Sequence, residues 1–469
     1  MTENIHLNTT FRRNIFQSAV GLLIFSLMVI FSYIYAPDPN LYYGGAILFL
    51  AIYMWLLTPV SFIFSTFLII VASVGLGLLP REEAFSGFSS GTLFFLMGAF
   101  ILAMTVEKHD LHKRIALSFL NHFGDSPKRF ILGVTLVGAF LSMLMPEHGI
   151  TALFIPILIT VFLAAKRKNV LESNFGKANL LALSYGTSVG SIATFLGGAR
   201  NILAVEIYSN YTGESVSFVQ WIVSTIPVSI VMMFIVYFVL IKVFTIEDID
   251  MVHIRRKIEK EIVLMGDFKM GEAKALGFLL SGFIAWAVLG QFFGMGVIAV
   301  ALAFVIASTK TITWDDVESK MPWGTLFLYV GAVTLSLVLP RAGTLERITH
   351  FLLLYVGENP LLILAIFTIL AVFVSGVMSN AAVTAITLPI ALTTMDGMGV
   401  PLIVPMYTIA MASGFAFILP IGTPSAMLVY ATGHLEARDF LKAGLILSVL
   451  GIITFLTVGL LWWKILGYW

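Results

Sequence analysis

The chain has 469 residues, of which 59% are hydrophobic and 11% are charged, and its mean hydropathy is +0.98. A soluble domain carries roughly 25% charged residues, so this composition excludes a soluble globular protein and predicts an all-α, polytopic membrane protein. The net charge of +1, without a basic tract, gives no indication of nucleic-acid binding, and the absence of cysteine excludes disulfides and thiolate metal sites.

Apolar segments about 20 residues long, enough for a helix to cross a bilayer, recur along the chain. The first has no small-residue cleavage site beside it, so we predict a span rather than a cleaved signal. Two further apolar segments, at about 128–163 and 359–395, have a polar break in the middle, and we predict that each is a re-entrant hairpin. We predict about eleven transmembrane helices, at residues 15–35, 41–57, 59–79, 91–107, 178–208, 218–244, 274–292, 293–309, 322–340, 401–430 and 440–466.

The hairpins lie in two copies of one repeat. Gly-Thr-Leu-Phe occurs at residues 91–94 and again at 324–327, an offset of 324 − 91 = 233 residues. The same offset relates Met145 to Met378, and the match continues without gaps over some 65 residues, which indicates an internal repeat. The predicted divisions of the chain are an N-terminal segment with the first span (1–40), a first repeat (41–244), a cytoplasmic linker (245–273) and a second repeat (274–469).

The positions of lysine and arginine predict the orientation in the membrane. Basic residues precede the first span, flank the first hairpin and fill the linker, whereas the loops at 209–217 and 290–296 have none. Because cytoplasmic loops are enriched in these residues, we predict a plasma (inner) membrane protein with a cytoplasmic N-terminus and a C-terminus outside. Only Arg341 and Arg347 depart from this rule. The two repeats are then inverted, as in many secondary transporters that build two gates around one site.

Each hairpin is followed by a span that is broken near its middle, at residues 194–201 and 419–426. Proline and paired glycines free backbone groups that lipid cannot satisfy, so such breaks survive where they line a cavity or pack within protein. Unwound carbonyls can bind a cation, and helix N-termini attract an anion. Four broken elements that meet therefore predict a site for an anion together with a cation, although any single break can be a simple kink or a close helix contact.

These features resemble the divalent anion:sodium symporter family, which carries dicarboxylates, citrate and sulfate. That family has a Ser-Asn-Thr motif at each hairpin tip and a Gly-Thr-Pro-Pro-type break in each following span. Ser379-Asn380 and Gly422-Thr423-Pro424 match the second-half motifs. The resemblance implies that Ser379 and Asn380 bind substrate and Na+, and that Thr423 and Pro424 face the substrate.

The resemblance covers the chain from about residue 41 to the end and also implies how the protein moves. The family is a homodimer in which a mobile domain moves like an elevator against a static one. The amphipathic segments at 109–123 and 343–356 resemble the helical arms that join those domains.

The first half departs from the family pattern. Pro146-Glu147-His148 stands where Ser-Asn-Thr is expected, and Gly198-Ala199-Arg200-Asn201 replaces a Ser-Pro-Pro-Asn-like break. Ionisable residues at membrane depth are costly and are functional candidates by default. Glu147, His148, Gly198, Arg200 and Asn201 are therefore candidate substrate-binding residues, with Glu147 and His148 as candidates for coupling.

Three interpretations of this charged group remain open. Glu147 and Arg200 can form a fixed pair that replaces a sodium ion. Alternatively, Glu147 or His148 takes up a proton in each cycle while Arg200 clamps the substrate anion. In the third interpretation the three residues neutralise one another and lock the hairpin. Glu107 and Glu206, near span ends, are predicted to be interfacial.

We therefore predict a secondary active transporter of small anions, carboxylates or dicarboxylates first, coupled to Na+ or H+ or working by anion exchange. The alternatives are a transporter of an inorganic anion or sulfonate, an uncoupled anion channel, or an intramembrane enzyme that uses Glu147 and His148 as acid and base. No nucleotide-binding loop, dinucleotide fingerprint or metal-ligand cluster indicates an enzyme or a cofactor other than Na+. The expected partners are the anion, Na+ or H+, the lipid bilayer and a second copy of the chain.

Overall fold

The computed structural model describes residues 2–163 and 170–468, with side chains described for 16–163 and 171–468. Within these residues the chain is helical and contains no β-strand, so the predicted all-α fold is confirmed. Seven helices are long and apolar enough to cross a membrane, or eight if one bent helix pair is counted as a span. The predicted count of eleven also includes two shorter apolar helices and the two broken spans, and it stays a prediction.

The first part of the chain supplies the spans and short helices that precede the first hairpin. Asp38, Ser61 and Ser90 begin three of these helices, because each side-chain oxygen accepts a hydrogen bond from the backbone N–H two residues later. The helices are Thr2–Tyr35, Pro39–Leu57, Phe62–Gly75, Arg81–Ala84, Ser86–Ser89 and Gly91–Lys108. The amphipathic helix Leu111–His122, the first arm, follows at the position predicted from 109–123.

Both predicted hairpins are helix–break–helix units. The first hairpin consists of Pro127–Ser142 and Glu147–Leu163, and the second of Pro360–Val374 and Asn380–Met395. Ser126 and Asn359, which are 359 − 126 = 233 residues apart, cap the two opening helices. The second arm, Thr344–Val356, precedes the second hairpin and is bent from it by 113°. That bend lies at Gly357, whose φ of +77° favours glycine.

Both predicted breaks are also present. The first broken span consists of Asn174–Gly190 and Ala199–Thr212, and the second of Ile403–Ala412 and Pro424–Ala431. In the first, Gly190 packs so closely on the hairpin that an added Cβ would lie 2.0 Å from the Ala139 carbonyl oxygen. The other helices are Val170–Glu172, Phe218–Val243, Met251–Met265, Met270–Phe293, Met295–Ser308, Trp314–Lys320, Trp323–Arg341, Ala437–Thr454, Phe455–Gly459 and Leu460–Ile465.

The helices pack in two groups. The hairpin group contains both hairpins, both broken spans, Phe218–Val243 and the last span, Ala437–Ile465. Within it the repeats cross, because the second helix of each hairpin packs on the second helix of the other repeat's broken span. The outer group contains the spans Pro39–Leu57, Phe62–Gly75, Gly91–Lys108, Met270–Phe293, Met295–Ser308 and Trp323–Arg341.

Candidate functional site

Each hairpin tip packs against a glycine in the break of the following span. A Cβ on Gly197 would lie 2.5 Å from the carbonyl oxygen of Ser142, and one on Gly422 would lie 3.2 Å from the Cα of Gly376. The first tip is also hydrogen-bonded to its break, since the Glu147 N–H donates to the Gly197 carbonyl at 3.3 Å. Each hairpin tip is therefore joined to the break of the following span.

The first-half cluster consists of Arg200, Ser191 and Glu147. All three are buried, with exposures of 3%, 0% and 5%. The Arg200 Nη2 donates to the Ser191 Oγ at 2.6 Å, and the Ser191 Oγ donates to the Glu147 Oε2 at 2.9 Å. Arg200 and Glu147 do not form a direct ion pair, because a hydroxyl lies between them. The charge pair that the sequence suggested is therefore a three-residue relay.

The Arg200 guanidinium lies between two glycines that belong to different repeats. An added Cβ would lie 2.8 Å from Nη1 at Gly198 and 2.5 Å from Nη2 at Gly414. The Nε of Arg200 is buried and has no hydrogen-bond partner among the described residues. The Arg200 guanidinium, which belongs to the first repeat, thus packs against the break of the second repeat. Its Nε–H has no acceptor among the described residues.

The other two first-half candidates differ in their surroundings. Asn201 fastens the break, since its Nδ2 donates to the carbonyls of Ser191 and Thr194 at 2.7 and 2.6 Å, while its buried Oδ1 has no partner among the described residues. His148 is partly exposed next to Glu147, and the described part of the chain shows no hydrogen bond to its ring.

The second-half cluster is formed by neutral oxygens. The Ser379 and Thr423 hydroxyls cap the helices that follow them, accepting from the N–H groups of Ala382 at 3.3 Å and Ala426 at 3.0 Å. Asn380 is 8% exposed, and its Oδ1 has no partner in the described chain. The buried Ser425 Oγ likewise has none there, whereas Pro424 is exposed.

Glu147 and Asn380 occupy equivalent positions, since 380 − 147 = 233. The Thr151 hydroxyl donates to the Glu147 backbone carbonyl at 3.0 Å, and the Thr384 hydroxyl donates to the Asn380 backbone carbonyl at the same distance. In the described residues no group of three His, Cys, Asp or Glu side chains could hold a metal ion. A cation in the second half would therefore bind to amide, hydroxyl and carbonyl oxygens, which suits an alkali ion.

Sequence reasoning missed Ser191 and Gly414. Ser191 ends the helix before the first break, and its type and position are unremarkable in the sequence. Gly414 contacts Arg200 across 414 − 200 = 214 residues, and no periodicity reports such a contact. The one usable sequence indication was that both residues lie close to a predicted break.

Comparison with known proteins decides the family. The family model for the sodium:sulfate symporter transmembrane region matches residues 17–469. The chain belongs to this symporter family. The resemblance to divalent anion:sodium symporters is thereby confirmed, as are the predicted secondary transport of small anions and the assignment as a transporter rather than an enzyme.

Relatives of this chain include two with the name sodium-dependent dicarboxylate transporter SdcS. The one from Staphylococcus saprophyticus is 28% identical, with 94% of this chain and 90% of the relative covered. The one from Staphylococcus aureus strain RF122 / ET3-1 is 26% identical over the same shares.

Two solved structures share the fold of this chain at 13% sequence identity. The YdaH transporter of Alcanivorax borkumensis has a TM-score of 0.55, with 81% of this chain and 86% of that chain covered. MtrF of Neisseria gonorrhoeae, described among antimetabolite efflux pumps, has a TM-score of 0.58, with 95% and 94% covered. At this identity the likeness shows the fold alone, and with the apolar helices it supports an integral multi-pass membrane protein.

Proposed function

We propose that this symporter-family protein moves a small carboxylate or dicarboxylate together with Na+, and that the Na+ binds at Ser379 and Asn380. The observation that carries the proposal is the Asn380 Oδ1, which is buried at the second hairpin tip without a partner in the described chain. A buried polar atom without a partner costs free energy, and a bound cation would remove that cost. The names of the relatives support the same ion and class of substrate.

The anion is expected between the two broken spans, where the helices beginning at Ala199 and Pro424 present their N-termini. Such termini carry unpaired N–H groups and the positive end of a helix dipole. The unused Nε donor of Arg200 would add a charge-assisted hydrogen bond to a carboxylate. The remaining candidates near the anion are Gly198, Asn201, His148 and Thr423, with Pro424 facing the substrate.

Transport would follow from movement of the hairpin group against the outer group, with the two arms as connectors. The crossed packing of the two repeats in the hairpin group supports movement of those helices as one unit. We further propose a homodimer in the plasma (inner) membrane with a cytoplasmic N-terminus and a C-terminus outside. The repeat boundaries at residues 41–244 and 274–469, with the linker at 245–273, belong to the same proposal.

A second candidate for coupling is a proton at Glu147. Its carboxylate receives a side-chain hydrogen bond from Ser191 and lies beside the partly exposed His148. A carboxylate that gains and loses a proton would change the charge of the relay in each cycle. In that case the energy for transport would come from a pH gradient rather than from Na+.

Uptake into proteoliposomes tests these proposals. A labelled dicarboxylate, a monocarboxylate and sulfate would each be supplied with an imposed Na+ gradient, with a pH gradient, or with an anion trapped inside. We expect the Na+ gradient to drive carboxylate accumulation, in wild type and in Glu147→Gln. Accumulation that follows pH and disappears in Glu147→Gln would establish proton coupling instead. Uptake that requires only an internal anion would mean exchange, and a preference for sulfate would change the substrate class.

A further inference from the structure

Glu206 lies at the boundary between the hairpin group and the outer group. It belongs to Ala199–Thr212, the second helix of the first broken span, and it is half-buried rather than placed at a free span end. Its Oε1 accepts a hydrogen bond from the Ser90 Oγ at 3.1 Å, and its Oε2 accepts one from the Thr92 Oγ1 at 2.7 Å. Both hydroxyls belong to the start of the outer-group helix Gly91–Lys108.

Tyr329 completes this arrangement from a second outer-group helix. Its hydroxyl is 2.8 Å from the Ser90 Oγ, and the residue is 1% exposed. An ionised carboxylate only accepts, so Ser90 must donate to Glu206 and accept from Tyr329. The N-terminus of Gly91–Lys108 adds the positive end of a helix dipole, which favours the negative charge of Glu206. Every group in the chain of hydrogen bonds is satisfied in this position.

Aromatic side chains form another part of this boundary. Phe95 of the outer group packs on Phe195 of the hairpin group with ring centroids 6.1 Å apart, and Phe283 packs on Phe218 at 5.3 Å. If bonds made by the two arms are left out, the side-chain hydrogen bonds between the two groups in the described chain are those from Ser90 and Thr92 to Glu206. Apolar contacts are non-directional and tolerate sliding, whereas charge-assisted hydrogen bonds fix one geometry.

The described residues of the second repeat show no hydrogen bond that corresponds to this contact. The offset of 233 places Trp323 at the position of Ser90, so the capping hydroxyl is missing there. A contact present in one copy of an inverted repeat stabilises one of two alternate states more than the other.

We propose that Glu206, Ser90, Thr92 and Tyr329 form a latch, which holds the hairpin group in one of its two positions against the outer group. The latch rests on the proposed relative movement of the groups, but not on the identity of the substrate or the coupling ion. Glu206 acts in the latch as a positioning residue. It fixes the position of the first broken span relative to the outer group and takes no part in binding the anion.

Distance measurements between spin labels can test the latch in the full-length protein. The chain has no cysteine, so two introduced cysteines can be labelled without removal of native thiols. Trp314, in a short helix that packs on the outer-group helix Gly91–Lys108, and Leu361 in the second hairpin are 65% and 50% exposed and are suitable sites. The test variants are Glu206→Gln, Thr92→Val and Tyr329→Phe, of which Thr92→Val keeps the side-chain shape. Glu107→Gln is the control, because it removes an ion pair with Lys320 at 2.7 Å that does not join the two groups.

We expect two distance populations in the wild type and a shift of their ratio by roughly ten-fold in Glu206→Gln and in Thr92→Val, since each loses a hydrogen bond to a charge. Tyr329→Phe should shift the ratio less, and Glu107→Gln should match the wild type. Two wild-type populations with an unchanged ratio in Glu206→Gln and Thr92→Val would overturn the latch alone. A single distance in every variant, with and without Na+ and dicarboxylate, would overturn the latch together with the proposed movement.

Discussion

The two hairpin tips place different side chains on the same backbone frame. Glu147 in the first repeat and Asn380 in the second begin equivalent helices, and a threonine four residues later bonds to each of their carbonyls. In the first repeat the polar side chain is bonded through Ser191 to Arg200. In the second repeat the equivalent amide oxygen is buried and has no partner in the described chain.

The comparison separates what the repeat determines from what the side chains determine. The repeated backbone brings a polar tip and a break together in both halves, as the close packing at Gly197 and Gly422 indicates. The side chains then decide whether the centre is complete. The first centre contains its own cation, whereas the second needs one from solution under our proposal.

The largest expected effect is that of Arg200→Ala, which leaves the Glu147 carboxylate buried without its cation. Loss of one partner from a buried ionic group costs on the order of 3–5 kcal/mol, so thermal unfolding in detergent should occur at a much lower temperature and uptake should be lost. Arg438→Ala, which removes an exposed pair with Glu436, should cost about 1 kcal/mol or less.

A double variant sharpens this prediction. Arg200→Ala combined with Glu147→Gln leaves no unpaired charge, so it should recover part of the lost stability. If the two losses simply add, Arg200 and Glu147 are not coupled and the relay is refuted.

Asn380→Ala is expected to have the next largest effect, and on function rather than on stability. Removal of an unpartnered amide oxygen should change the free energy of unfolding little, but it should raise the Na+ concentration needed for half-maximal uptake by about ten-fold or more. Glu147→Gln, a change at the equivalent position of the other repeat, should leave that concentration close to the wild-type value. The reverse pattern would assign the cation to the first repeat.

Gly414→Ala tests whether the Arg200 guanidinium packs against Gly414 of the second repeat. The added methyl would lie 2.5 Å from Nη2, so we expect a loss of about 1–3 kcal/mol from overpacking. The loss should disappear in the Arg200→Ala background. Gly277→Ala is a suitable control, because a Cβ there meets nothing within 4 Å and a helical alanine should stabilise by up to about 1 kcal/mol.

The smallest expected effect is a change in how the stability of the arms depends on pH. The first arm buries His112, and the second arm buries Leu345 at the equivalent position of the repeat, since 345 − 112 = 233. Burial lowers the pKa of His112 from its ordinary value of 6.5, which the bond to the Val106 carbonyl and nearby acidic groups only partly offset. Neutral His112 is therefore favoured in the folded protein. This contribution to stability is complete above pH 6.5 and is lost as the pH falls through the lowered pKa.

Thermal unfolding between pH 7 and pH 5 should depend less on pH in His112→Leu, and more in the reciprocal Leu345→His. An unchanged profile in both would refute this account of the arms.

The sequence predicted the parts of this structure that leave a local pattern. Polar interruptions in apolar runs located both hairpins, and proline and glycine located both breaks, because these residues disturb a helix wherever it packs. The repeat offset also identified Asn380 as the equivalent of Glu147 in the second repeat. Contacts between distant segments leave no such pattern. The Ser191 bridge, the placement of Arg200 on Gly414 and the bonds from Glu206 to Ser90 and Thr92 depend on how helices of the two repeats cross.

The most direct test of the central claim is equilibrium binding of radioactive ²²Na+ to the purified protein, compared among wild type, Glu147→Gln and Asn380→Ala. We predict that the wild type and Glu147→Gln bind Na+ with similar affinity and that Asn380→Ala binds it at least about ten-fold more weakly. Binding that persists in Asn380→Ala and is lost in Glu147→Gln would contradict a cation site in the second repeat.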